Sequence, residues 1–316
     1  MKVLINTNYE AAGTKVCVDD LSAKFKRNGD VVERNNWNNY SGYDLILFMS
    51  PDPEVRTAKS QSRAKVGLMD PKLTKEREPE VRAADFLLVS SIEQRDFFLK
   101  YNKNIFIYYM FPEIEAVSKN HKNKPKIIIG YHGNKKHLEE MEEVSIALDE
   151  LSFKYNLELL AIYNIKNNGK WTRNRPTRCK VTDVQWSPDS YHRELFKADI
   201  GIIPAKVPIK HFTGFNVRKR YDYVMRFKYS NNPGRVYPFS QLGIPVIADF
   251  TPSYCQIIAD GRSGLLAYSK EGWYWAIEKL ILDHTLRQKL SDNMKEYING
   301  NCSPDLNFKR FYEYLH

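Results

Sequence analysis

At 316 residues and a formal net charge of +10, the chain is longer than one hydrophobic core usually supports and basic enough to favour an anionic partner. Its 42% apolar fraction, with 20 Tyr and 16 Phe, excludes a disordered chain, and no stretch nears the roughly 18 uncharged apolar residues of a membrane-spanning helix. Four scattered cysteines (Cys17, Cys179, Cys255, Cys302) have neither CxxC nor zinc spacing, and MKVLINTNYE lacks a signal-peptide pattern. A cytoplasmic chain with reduced thiols, and nothing missing upstream of its first strand, is the expectation.

VLIN (3–6) reads as that strand, and residues 14–28 as an amphipathic helix closed by Gly29. DLILFMS (44–50), AKVGLM (64–69), FLLVSS (86–91) and NIFIYYM (104–110) are further short apolar strands. A helix is expected over Ser91–Lys100, with Ser90 or Ser91 as its N-cap. Strands of this kind, spaced by helices, predict a parallel sheet covered on both faces. SKNHKNKPK (118–126) breaks the alternation and reads as a linker, which puts a domain boundary near residue 120. Alternation resumes with KIIIGYHG (126–133), a helix near 136–154, LELLAIY (157–163), a helix near 190–197 and DIGIIPA (199–205). A helix near 233–242, IPVIAD (244–249), a helix near 252–260 and GLLAYS (264–269) follow. Two helices span 271–296, and a last aromatic-rich one starts at Pro304. The expected fold class is α/β: two Rossmann-like domains, 1–120 and 121–300, with a closing helix over 301–316. A ligand would sit in the cleft between the domains, at the carboxyl ends of the strands.

The richest stretch is RFKYSNNPGRVYPFSQLGIPVIADF (226–250). Arg226, Lys228, Ser230, Asn231, Asn232, Gly234 and Arg235 gather cations, a hydroxyl, amides and a glycine ahead of a helix and a buried strand. Free N–H groups and the positive end of a helix make such a place a phosphate cradle. In GYHGN (130–134), Gly130 and Gly133 would let the backbone approach a ligand that His132 and Asn134 hydrogen-bond; glycines that merely turn the chain explain the motif as well. Neither GxGxxG nor GxxxxGK[ST] occurs. Trp186, in VQWSPDSYHRELFKADIGIIP (184–204), is placed to stack on a base or simply to pack, with Ser187 or Asp189 capping the helix after it. In the first half, Asp70 of GLMDPK could orient an acceptor hydroxyl or act as a base, or only open a turn before Pro71. Gly13 and Glu113 are further candidates there. Residues 164–180 carry six Lys/Arg and no acid, and residues 205–235 carry eight against Asp222 alone. Two such runs suit an anionic ligand or surface better than a solvated face.

Taken in order, YHGN, W-S-P-D-S-Y…L-F-K-A-D-I-G-I-I-P, K-Y-S-N-N-P-G-R-V…L-G-I-P-V-I-A-D and D-G-R-S-G-L-L-A resemble the donor-binding half of GT-B glycosyltransferases of the family 4-like group (glycosyl transferases group 1) over residues 126–296. The resemblance implies two Rossmann-like domains facing across a cleft, a last helix crossing back to the first domain, and a variable acceptor site in the N-terminal half. It implies metal-independent, retaining transfer of a sugar from a nucleotide-diphosphate-sugar, such as a UDP-sugar, to an acceptor hydroxyl. Gly130, His132, Gly133, Asn134, Trp186, Ser230, Asn231, Asn232 and Gly234 would bind the donor. Lys228 and Arg235 would meet the growing charge of the leaving diphosphate, with Asp70 as a catalytic candidate from the first half. No cofactor and no metal are implied, and no DxD sequence occurs.

One departure stands out. The two glutamates that members often carry eight positions apart, ahead of the G-x-P-V-I strand, fall here on Ser230 and Pro238. The acceptor is expected to be a surface polysaccharide or lipid-linked glycan, with the cations resting peripherally on an anionic membrane. The other version is a polyanion such as modified phage DNA, contacted by Lys170, Arg173, Arg175, Lys206 and Lys210. Alternatives of other classes are a non-catalytic nucleic-acid-binding protein on a Rossmann-like scaffold, without a recognisable RRM, KH or zinc-finger module, and a GT-B nucleotide-sugar epimerase.

Overall fold

The computed structural model describes residues 1–8, 15–50, 52–205 and 232–316. Chain contacts divide these into two units: Met1–Glu113 with Asn232 and Cys302–His316, and the remaining described residues from Ile114 to Asn301.

In the first unit, β1 (Lys2–Thr7), α1 (Asp20–Arg27), β2 (Val31–Arg34), β3 (Leu45–Met49), α2 (Val55–Gln61), β4 (Lys65–Met69), α3 (Glu78–Ala83), β5 (Phe86–Val89), α4 (Ile92–Phe98) and β6 (Ile105–Ile107) follow one another. The strands pair in parallel in the order β2-β1-β3-β4-β5-β6. β3 (LILFM) and β5 (FLLV) are buried at every position, as strands covered on both faces must be. Gly67 is required within β4, because a Cβ there would lie 2.3 Å from the Phe86 ring. Ser91 caps α4, its Oγ accepting the Gln94 N–H at 3.1 Å.

The second unit runs β7 (Ile127–His132), α5 (Lys135–Glu139), α6 (Glu142–Leu151), β8 (Leu157–Tyr163), α7 (Ile165–Asn168), β9 (Lys180–Gln185), α8 (Tyr191–Leu195), β10 (Ile200–Ile203), α9 (Val236–Gln241), β11 (Val246–Asp249), α10 (Pro252–Cys255), β12 (Leu265–Ala267), α11 (Lys270–Leu282) and α12 (His284–Asn301). A 3₁₀ turn, Pro233–Arg235, leads into α9. The parallel sheet has the order β12-β11-β10-β7-β8-β9. The helix expected near 136–154 is two helices, and the one expected near 252–260 is a single turn.

The segment read as a free linker is a held strap. Val117 N–H donates to the Gln241 carbonyl at 2.9 Å, and Lys295 Nζ to the Val117 carbonyl at 3.0 Å. His121 N–H donates to Gln288 Oε1 at 3.0 Å, and its ring Nε2 bonds the Gly243 carbonyl at 2.9 Å. Fully buried Arg287 donates to the Lys122 carbonyl at 2.8 Å. The second unit therefore begins at Ile114, ahead of the boundary expected near 120. These bonds fix the strap's backbone onto the second unit.

The last helix, α13 (Pro304–Leu315), belongs to the first unit's core. Phe308 meets Phe25 edge-on at 5.1 Å, Phe311 lies 5.9 Å from Phe86, and Lys24 pairs with Asp305 at 2.6 Å. Phe311 has no exposed surface. Phe311→Ala is expected to destabilise the protein by about 3–5 kcal/mol, read from urea denaturation followed by tryptophan fluorescence; a loss under about 1 kcal/mol would refute the helix's place in that core.

Candidate functional site

The carboxyl edge of the second sheet brings several of the expected residues together. β7 ends on His132, in register with Ile162 of β8, and Gly133 follows with its N–H donated to the Ile162 carbonyl at 3.1 Å. Gly133 has φ +146°, a conformation that side chains rarely allow. A Cβ there would lie 2.9 Å from the Tyr131 hydroxyl and 3.1 Å from Arg235 Cδ. The missing side chain thus makes room for Arg235, the last residue of the turn into α9.

Arg235 is fixed from three sides. Its Nη1 donates to the Pro204 carbonyl just past β10 at 2.9 Å. Its own carbonyl takes the Nε2–H of His132 at 3.2 Å. Its guanidinium lies 5.8 Å from the Tyr254 ring centroid. Burial pushes the His132 imidazole down to about 4; the bond to the Arg235 carbonyl opposes this and the Arg235 charge adds to it. Tyr131 and Tyr254 are pushed up by burial, with the Arg235 charge opposing. Tyr131 donates to the Asn134 carbonyl at 2.6 Å, while the Asn134 side chain caps α5 by accepting the Lys136 N–H at 2.9 Å.

Trp186 joins the same edge through an aromatic row. Its half-buried ring stacks on Tyr191 at 5.8 Å, Tyr191 lies 5.6 Å from His132, and His132 lies 5.1 Å from Phe239. Phe239 in turn covers Gly201, where a Cβ would sit 2.6 Å from its ring. Tyr191, Phe239, Tyr254 and the Pro204 carbonyl were not singled out from sequence. Tyr191 stood in W-S-P-D-S-Y, but nothing in Tyr254 or Phe239 separates them from core aromatics.

Other expected residues have different employment. Gly130 lies inside β7, where a Cβ would meet Ala198 Cβ at 2.5 Å, so its glycine serves helix packing rather than ligand approach. Asn232 Nδ2 donates to the Met110 carbonyl at 2.8 Å, within the first unit. Gly234 lies in the 3₁₀ turn. Arg173 is paired with Glu140 and donates to the Glu139 carbonyl at 3.1 Å. Arg175 is bidentate to Asp183 at 2.9 Å on both oxygens and stacks on Trp171. These two arginines, expected to contact a polyanion, are neutralised by the fold's own acids, while Lys170 is exposed. Glu113 is bound by Arg27 and Lys24, which hold its carboxyl down to about 2. Asp70 lies past β4 in the first unit, held by Lys72 and Gln94. Lys206, Lys210, Lys228, Ser230, Asn231 and Gly13 lie outside the described residues. Pro238 is buried within α9. Asp249 is also spent, accepting from Ala205 N–H at 2.6 Å and Trp273 Nε1–H at 3.2 Å. Among the described residues, no group of three His, Cys, Asp or Glu side chains is placed to hold a metal ion, and no helix is long and apolar enough to cross a membrane.

No family model matches the chain, and no curated protein sequence does. Solved structures do match over its whole length. Anabaena Alr3699/HepE in complex with UDP is 14% identical, covers 100% of this chain and 99% of its own, and has a TM-score of 0.70. Sucrose-phosphate synthase from Thermosynechococcus elongatus is 12% identical, with 99% and 98% covered and a TM-score of 0.66. WaaG, a glycosyltransferase involved in lipopolysaccharide biosynthesis, is 12% identical, with 99% of both chains covered and a TM-score of 0.62. At these identities the likeness establishes the fold, which is GT-B.

The buried, neutral His132 carries a pH signature. An unfolded histidine titrates near 6.5, so between pH 6.5 and 4 the unfolded chain binds the extra proton and stability falls as pH falls. Between pH 7.5 and 4.5 the wild type is expected to lose about 2 kcal/mol more than His132→Gln, measured by urea denaturation. Equal losses would contradict a neutral His132.

Proposed function

We propose that the protein is a glycosyltransferase that moves a sugar from a nucleotide-diphosphate-sugar to an acceptor hydroxyl, with the donor held by the second unit. The observation that carries this reading is Arg235, seated in the notch of Gly133 at the carboxyl edge of a GT-B sheet. Its guanidinium is a fixed cation where the leaving diphosphate would develop charge, and a fixed charge needs no reorganisation during the reaction. The structural relatives support the same donor: HepE was crystallised with UDP, and also with UDP-glucose. Trp186, half-buried at one end of the aromatic row, is the surface on which the base would stack.

In this reading the anomeric carbon–oxygen bond to the diphosphate breaks and the electron pair leaves with the diphosphate. The acceptor oxygen bonds the anomeric carbon as its proton passes to the oxygen of the leaving diphosphate. The transfer is metal-independent and retaining, with Arg235 and Lys228 as the cations that meet the leaving charge. The acceptor is a glycan hydroxyl rather than a polyanion, because Arg173 and Arg175 are already engaged by Glu140 and Asp183.

UDP and UDP-glucose are expected to raise the melting temperature by several degrees when present at about 100 times Kd, equivalent to about 2.7 kcal/mol. Arg235→Ala is expected to weaken UDP binding by about tenfold or more, as loss of a charge-assisted contact does. If no nucleoside diphosphate stabilises the protein and no UDP is released from UDP-glucose with any polyol present, the reading fails.

A further inference from the structure

The carboxyl edge of the first unit's sheet holds a second polar arrangement, centred on Asp70. Asp70 follows the last residue of β4, and its φ of +45° lies in the left-handed region. Aspartate tolerates that region better than most residues, but the Pro71 that follows restricts the backbone further, so neighbouring bonds must hold the position. The Asp70 N–H donates to the Leu88 carbonyl at 2.9 Å. Oδ1 accepts from Gln94 Nε2 at 3.2 Å, and Oδ2 accepts from Lys72 Nζ at 2.7 Å.

Gln94 is fully buried and can point only one way. Its Oε1 accepts the Ser90 N–H at 2.8 Å, so the amide nitrogen must face Asp70. Its backbone is fixed in turn, because its N–H is capped by Ser91 Oγ at 3.1 Å. A backbone donor on β5's end thereby sets the orientation of a carboxylate on β4's end.

An ionised carboxylate offers about four acceptor positions. Among the described residues two are filled, and 24% of the Asp70 side chain remains exposed. Lys72 balances the charge, so a cation is not the complement the site lacks, and the carboxylate repels an anion. The complement is a neutral donor: a hydroxyl. Strand carboxyl ends are where α/β sheets present ligand-binding groups.

We propose that Asp70 binds a hydroxyl of a polyol acceptor and that Gln94 is the positioning residue that aims it. The meaning of that hydroxyl as an acceptor rests on the glycosyl-transfer reading; the binding itself does not. The test uses the full chain, methyl α-D-glucopyranoside as the polyol probe, and the ¹³Cγ NMR signal of Asp70. The UDP-induced shift in melting temperature is measured in parallel, so a failure of the donor reading shows separately.

In the wild type the probe is expected to move the Asp70 signal saturably. Gln94→Glu keeps an acceptor for the Ser90 N–H but removes the donor to Asp70 and puts a like charge beside it. The probe's Kd is then expected to rise about tenfold or more, while the UDP shift stays that of the wild type. A merely structural Gln94 would leave the probe's Kd alone or move both readouts together. Should Gln94→Glu not fold, Gln94→Met, similar in volume and uncharged, is expected to show the same split. A wild-type signal indifferent to the probe, or a folded variant with wild-type Kd, overturns the proposal.

Discussion

The Arg235 side chain occupies space that a Cβ on Gly133 would take, and that close approach organises the second unit's edge. Such a Cβ would crowd both Arg235 Cδ and the Tyr131 hydroxyl, and φ +146° would strain any side chain besides. With the glycine in place, β7, β10 and the turn into α9 converge on one guanidinium. His132 then follows from the same geometry. Its Nε2–H finds the Arg235 carbonyl, its ring is enclosed by Tyr191 and Phe239, and a cation nearby disfavours a second positive charge. The imidazole is a neutral strut here rather than a proton donor to a ligand phosphate.

The two carboxyl edges solve different electrostatic problems. In the second unit a cation is held by carbonyls and rings, while the one acid at the end of β11, Asp249, is consumed by Ala205 and the Trp273 indole. In the first unit an acid is held by an amide and an ammonium, with acceptor capacity left over. The first arrangement complements a negative ligand and the second a hydroxyl. In the proposed glycosyl transfer these would be the donor and the acceptor.

Central strands were legible because both of their faces are covered. LELLAIY and LILFM are buried at every position, and such runs announce themselves without an alternating pattern. Two of the four edge strands were not. β2 (VVER) and β9 (KVTDVQ) each pair on one side only, are half-exposed, and carry charges that read as loop. The strap at 118–126 misled for a related reason: its composition is that of a linker, and the side chains that hold it, Arg287 and Gln288, come from a helix about 165 residues further on. The basic run at 164–180 looked unpaired because Glu140, which neutralises Arg173, lies outside it in sequence. At the site, Gly133, His132 and Arg235 were visible as types. That Gly133 exists to admit Arg235, and that Gln94 aims Asp70, depends on three-dimensional proximity that no spacing rule encodes.

The missing glutamate pair gains a physical context from Arg235. Among the described residues no carboxylate lies within ion-pair distance of it; its guanidinium meets the Pro204 carbonyl and lies over the Tyr254 ring. A half-buried guanidinium that lacks a counter-ion has lost part of its hydration without the compensation an acid would give. Placing a glutamate at position 238 would not restore that balance, because Pro238 is buried in α9. In the proposed function the donor's diphosphate would supply that counter-charge, with two charged groups and several acceptor oxygens. Gly133, Pro204 and Tyr254 hold the guanidinium in place, so the cost of ordering it is met before any ligand arrives.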